Sequence, residues 1–170
     1  MTEIDVKSVE LFPFKVFDED WCALNSGNEK TGFNSMTVSW GGLGTLWGGP
    51  VATVYVRPQR FTKRLMDEND IFSVSVMGKK FRKEMGYLGS ATGANEDKIK
   101  KCGLTPVYSD ETVYFDEAKY VFICKKAFRC PMEENDFVDK DIIERWYNGD
   151  YHEIYIGEII KVLKSDDALH

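Results

Sequence analysis

The chain has 170 residues, of which 43% are hydrophobic and 14% aromatic, and carries a formal net charge of −6. That length and composition point to one domain, residues 1–170, with a substantial core, and exclude a disordered chain. The interspersed charges argue against nucleic acid binding, and no apolar run nears the roughly 20 residues that span a bilayer. The amino terminus, MTEIDVKSVE, has no basic region followed by an apolar stretch, so the expectation is a cytoplasmic protein without a secretory signal or membrane association.

The first ten residues are polar and read as loosely ordered. Leu11 to Val16 form an apolar entry segment, and Trp21 to Leu24 a short strand that breaks at Asn25, Ser26, Gly27 and Asn28. Asn34 to Trp40 then alternates Met36, Val38 and Trp40 with Ser35, Thr37 and Ser39, the period of a strand with two differently served faces. GGLGTLWGGP follows, then a β-rich run from Val51 to Val56 and the segment RPQRFT. Strand hydroxyls, glycines that admit close backbone approach, and the planar forks of Arg57 and Arg60 suit a large, planar, anionic ligand. A plain β-hairpin with a glycine-rich turn and surface arginines is an equally good reading. The glycines match neither GxGxxG nor GxxxxGK[ST].

Beyond Pro58, Thr62 is placed to cap a helix over Lys63 to Glu68, and Ile71 to Met77 is strongly β. Lys79 to Tyr87 and Asp97 to Cys102 read as helices, the second stopped by Gly103. Thr112 to Phe115 and Tyr120 to Lys125 read as strands. Asp139 to Tyr147 reads as a helix with Ile142, Ile143 and Trp146 on one face, and Tyr151 to Leu163 as the last strand. Short strands between short helices, without βαβ alternation, favour an antiparallel, mainly β barrel over a doubly wound sheet.

The four cysteines, Cys22, Cys102, Cys124 and Cys130, include no C-x-x-C pair, and the histidines are only His152 and His170. No metal site or dithiol redox pair is therefore expected. Cys22 and Cys124 sit in apolar runs and read as buried thiols, whereas Cys130, before Pro131, reads as nearer the surface.

NSMTVSWGGLGTLWGGPVATVYVRPQRFT resembles the core motif of flavin reductase-like, flavoredoxin-type proteins. FPFKVFDEDWCALNSG, YLGSATG, EDKIKKCGLTP, FDEAKYVFICKKAF and RWYNGDYHEIYIGEI are similar to the same family, so the resemblance covers most of the chain. It implies an FMN-binding split β-barrel of antiparallel Greek-key type, non-covalent FMN, and a homodimer with flavin sites near the subunit interface. It also implies electron transfer from NADH or NADPH through the flavin to free flavin or another acceptor.

By the same resemblance Asn34, Met36, Thr37, Val38, Ser39 and Trp40 line the flavin, and Arg57, Arg60 and Thr62 grip its phosphate. A helix start at that point would itself favour an anion. Gly89, Ser90, Thr92 and Gly93 form a second ligand loop, with Lys98 a further contact. His152 is placed to give a hydrogen bond or a proton to reduced flavin. One departure stands out: where the family pattern resembles Gly-Thr-Lys-Ser-Gly-Arg-Asp, this chain has Ala91, Ala94 and Asn95. The lost cations leave open a flavin-carrying protein that is reduced by a redox partner protein, and a flavin binder without turnover.

Overall fold

The period-two alternation of the β-rich runs becomes one large antiparallel sheet whose apolar positions serve two cores, one inside the barrel and one on its outer face. The computed structural model describes residues 1–166. Strands β2 (Cys22–Asn28) and β6 (Ile71–Val76) send Cys22, Leu24, Phe72, Val74 and Val76 inward. Met36 and Val38 of β3 (Gly32–Val38) and Ala52, Val54 and Val56 of β5 (Gly49–Val56) meet them. β4 (Gly41–Leu46), β9 (Tyr120–Pro131), β10 (Glu153–Lys164) and a short β1 (Thr2–Ile4) complete the sheet.

The strand order is β3–β2–β6–β9–β10–β5–β4, with β1 also on β10. β3 and β4 are consecutive in sequence but lie at the two ends of this order and are not paired with each other. The barrel therefore stays open along one seam, and β3 keeps an unpaired edge. The long β9–β10 pair shifts register between Ile156 and Gly157 and again between Ile159 and Lys161, the bulges that bend such a pair around a core. Gly157 is required there, since a Cβ at that position would lie 2.6 Å from the Phe72 ring.

A second layer covers the outer face of β2 and β6. It comprises α3 (Arg82–Ser90), α4 (Lys98–Cys102) and the hairpin of β7 (Pro106–Ser109) with β8 (Thr112–Phe115). Met85, Leu88, Ile99 and Phe115 pack there with Ala23, Val121 and Ile123. A buried polar seam crosses it, with Asn25 donating to Ser73 at 3.0 Å and to Ser75 at 3.1 Å.

Several expectations are corrected. The amino-terminal residues are ordered: β1 pairs with β10, and Asp5 caps a 3-10 turn over Val6–Ser8. The apolar entry segment is α1 (Pro13–Asp18), which starts on its proline, buries Val16 and Phe17, and leaves Phe12 and Phe14 exposed. For GGLGTLWGGP the hairpin reading holds: it forms the β4–β5 hairpin, turning at Trp47 and Gly48, both with positive φ. Thr62 caps no helix: α2 (Phe61–Glu68) has Arg60 at its N-cap, and Thr62 lies inside the first turn. The helix read over Asp139 to Tyr147 is shorter, α5 (Asp141–Trp146), and buries none of its residues. As expected, Cys22 and Cys124 are fully buried; all four thiols are free, and Cys130 is only partly exposed.

Candidate functional site

Two adjoining cavities open beside the free edge of β3. The larger, of ≈ 290 Å³, lies between residues 36–40, Tyr55 and Arg57 after β5, Arg60, and Trp146 and His152 from the β9–β10 connection. Tyr55 and Arg57 reach it together because residues two apart share a face, opposite the buried Val54 and Val56. Met36, Thr37 and Val38 all line it, although they alternate in direction, because the strand edge itself forms the wall. Alternate main-chain N–H and C=O groups along that edge have no strand partner and are free for a ligand.

The smaller cavity, of ≈ 90 Å³, shares Met36 and Arg60 with the larger. Its walls include Asn34, Thr62, Ser90, Thr92, Gly93 and Lys98, and no carboxylate lines it. Arg60 and Lys98 both lie at the carboxy-terminal end of α3, where Arg60 donates to the Gly89 carbonyl at 2.6 Å. Lys98 donates to the Leu88 carbonyl at 2.9 Å and the Ala91 carbonyl at 3.1 Å. Burial, and then the Arg60 charge, push the Lys98 ammonium down to about 8. Beyond the carbonyls that end α3, the two cations meet no carboxylate in the cavity, and the start of α2 has no side-chain cap. That donor set suits an anion.

The architecture behind α2 is firmly tied. Asp67 accepts from Tyr155 at 2.7 Å, and Lys63 and Arg129 each bridge Asp67 and Glu153 at 2.6–2.9 Å. Asn34 donates to Thr62 at 2.8 Å, fixing the helix start to β3. Gly93 approaches so closely that a Cβ would lie 2.1 Å from the Asn34 Oδ1.

Of the residues expected at the site, all but Gly89 line one cavity or the other, and Gly89 supplies the carbonyl that holds Arg60. Their individual placements differ from the sequence reading in four respects. Arg57 lines the larger cavity only and pairs with Asp150. The Thr37 hydroxyl donates to the Met85 carbonyl of α3, leaving its main chain for a ligand. Gly89 and Ser90 belong to the last turn of α3 rather than to a loop. The glycine stretch 41–50 lines neither cavity, and Gly44, Gly48 and Gly49 face a separate apolar one of ≈ 450 Å³.

His152 is buried, with its Nδ1 2.9 Å from the Tyr147 hydroxyl and its ring 5.1 Å from that of Trp40. Burial above all, then Arg57, pushes its imidazolium down to about 4, against a smaller opposing effect of Asp150. Near neutral pH the ring is uncharged: it can offer a hydrogen bond but holds no imidazolium proton to give. Tyr55 and Trp146 were not identified from the sequence. Tyr55 carried a signal, its two-residue spacing from Arg57, whereas nothing local marked Trp146.

The two cavities together form a slot between aromatic rings and a strand edge that runs into an anion pocket, a fit for a planar heterocycle bearing a phosphate. Among the described residues no three metal-ligating side chains cluster, and no helix is long and apolar enough to cross a membrane. No curated protein matches the sequence. Solved structures do match the fold. Flavoredoxin of Desulfovibrio vulgaris (Miyazaki F) has a TM-score of 0.69 at 21% identity, over 100% of this chain and 80% of that one. Flavoredoxin of Methanosarcina acetivorans has a TM-score of 0.69 at 20% identity, over 100% and 79%. An FMN-binding protein from Thermus thermophilus, solved with 1-cyclohex-2-enone, has a TM-score of 0.69 at 16% identity, over 100% and 84%. These likenesses carry the split-barrel fold. The family model for the flavin reductase like domain matches residues 21–170, and the chain belongs to that family.

Proposed function

We propose that the chain binds FMN non-covalently and passes electrons from NADH or NADPH through it to free flavin or another acceptor. The observation that carries this reading is the continuity of the strand-edge slot with a pocket holding two cations and an uncapped helix start. When bound, the flavin supplies the hydride and electron chemistry, and the protein supplies binding, orientation and electrostatics. The free edge of β3 offers main-chain donors and acceptors that would hold the polar edge of the ring system. Trp40 and Trp146 wall the slot and exclude water. Neutral His152 offers a hydrogen bond from one end. Arg60, Lys98 and the first N–H groups of α2 would hold the phosphate, with the hydroxyls of Ser90 and Thr92 beside them.

The working unit in this reading is a cytoplasmic homodimer. Phe12 and Phe14 are 74% and 91% exposed, and Trp47 is 58% exposed. They flank Pro13 and Gly48, which line the same apolar cavity, so these aromatic side chains border one surface. Such a patch is what a second copy would cover.

A second reading, an electron carrier reduced by a partner protein, is favoured by the uncharged residues Ala91, Ala94 and Asn95, which offer no positive charge to a nicotinamide phosphate. An absorption spectrum followed by anaerobic addition of NADH or NADPH tests both. Flavin bands that bleach support the reductase. Bands that resist both nucleotides but bleach with a reduced protein donor support the carrier. A colourless protein that fails to bind added FMN overturns both.

A further inference from the structure

The segment between β9 and β10, residues 132–152, forms one wall of the larger cavity yet has little purchase on the core. Neither its 3-10 turn (Glu134–Asp136) nor α5 buries a side chain. Its aromatic residues pack on one another instead, with Phe137, Tyr147 and Tyr151 ring centroids 5.2–5.5 Å apart. Its ends are anchored, since Met132 N–H donates to the His152 carbonyl at 2.9 Å.

Between those ends, attachment to the barrel depends largely on Arg57. One guanidinium nitrogen pairs with the Asp150 carboxylate, and the other donates to the Trp146 carbonyl at 2.9 Å. The guanidinium also lies 5.3 Å from the Tyr147 ring centre. Gln59 adds a 2.9 Å bond to Asp150, whose other oxygen accepts from Asn148 N–H at 3.1 Å. These contacts hold the Trp146 ring edge-on to Trp40, with centroids 5.2 Å apart. A planar fork that grips a carboxylate and a carbonyl together fixes orientation better than a point charge would.

We propose that Arg57 and Asp150 form a clasp that holds residues 132–152 shut over the larger cavity, so that they govern flavin exchange rather than phosphate recognition. The proposal rests on the flavin reading above, but the clasp itself can be tested without a flavin. Asp150 lines neither cavity, so Asp150→Asn removes the charge of the clasp and weakens it without removing a flavin contact.

The experiment compares wild type, Asp150→Asn and Arg57→Met in two measurements. One is stopped-flow release of FMN and of riboflavin. The other is amide hydrogen exchange over residues 132–152 in the flavin-free proteins. The expected result is that both variants release FMN and riboflavin faster by the same factor, about fivefold, with faster exchange confined to the segment. Two results overturn the proposal. One is a loss with Arg57→Met that falls on FMN and spares riboflavin, because Arg57 would then hold phosphate. The other is unchanged exchange of the segment in both variants. If wild type binds no flavin, the proposed function fails, and hydrogen exchange alone decides whether the clasp holds.

Discussion

Lowering the pH should act through His152. Its imidazolium is pushed down to about 4 in the native protein from an ordinary value near 6.5, because burial removes the charged form from water and Arg57 repels it. Above pH 6.5 the ring is neutral in both folded and unfolded chains, and the shift contributes nothing to the pH dependence. Between 6.5 and 4 the unfolded chain takes up a proton that the native state does not, so stability falls as pH drops through that window. Each unit of difference corresponds to about 1.4 kcal/mol, and at pH 4.5 nearly two units are expressed. Allowing for residual screening, the native state should lose about 2 kcal/mol through this group alone. The assay is urea unfolding of flavin-free protein at pH 7 and pH 4.5, for wild type and His152→Asn, which keeps an acceptor near Tyr147. The acid-induced loss should be smaller in the variant by that amount, and the His152 Cε1 proton resonance should titrate near 4. An imidazole titrating at or above 6.5, or an equal acid loss in the two proteins, would refute the reasoning.

Other residues lead to sharper tests of the anion pocket and its supports. Arg60→Ala should weaken FMN at least about tenfold and riboflavin much less, because the charge-assisted contact it removes is chiefly to phosphate, although Arg60 also borders the larger cavity; equal losses for both ligands in titration calorimetry would contradict it. Lys98, at about 8, loses its charge as pH rises past that value, so FMN affinity should fall between pH 7 and 9.5 while riboflavin affinity stays level. A flat FMN profile would count against a phosphate beside Lys98. Gly93→Ala places a methyl group 2.1 Å from the Asn34 Oδ1 and should break the Asn34–Thr62 bond, costing about 1 kcal/mol in urea unfolding and weakening FMN more than riboflavin. Tyr155→Phe removes the 2.7 Å bond to Asp67 and should cost about 1.5 kcal/mol; an unchanged midpoint would show that the Lys63–Glu153–Arg129 ion pairs hold α2 unaided.

Most of the longer strands were legible in the sequence, although β1 and β7 were not and β2 runs on through Asn28, and the resemblance gathered the residues that line the two cavities. Alternation in Met36, Thr37 and Val38 is a local property of the chain, and so are the apolar runs of β5, β6 and β9 and the left-handed Gly103 that ends α4. The motif residues from Asn34 to Thr62 could be gathered because they are nearly continuous. What they do there depended on contacts between distant parts of the chain. Arg57 and Arg60 are three residues apart and chemically identical, but one follows the outward face of β5 toward Asp150 and the other turns at the start of α2 toward Gly89. The depressed imidazole of His152 arises from burial beside Arg57, and the depressed ammonium of Lys98 from burial beside Arg60. Trp146 lines the cavity from a segment whose Asp150, 93 residues beyond Arg57, pairs with that arginine, a contact no local pattern reports. Periodicity reports which way a side chain points from its own strand; charge, burial and partnership are set by what the rest of the fold places opposite it.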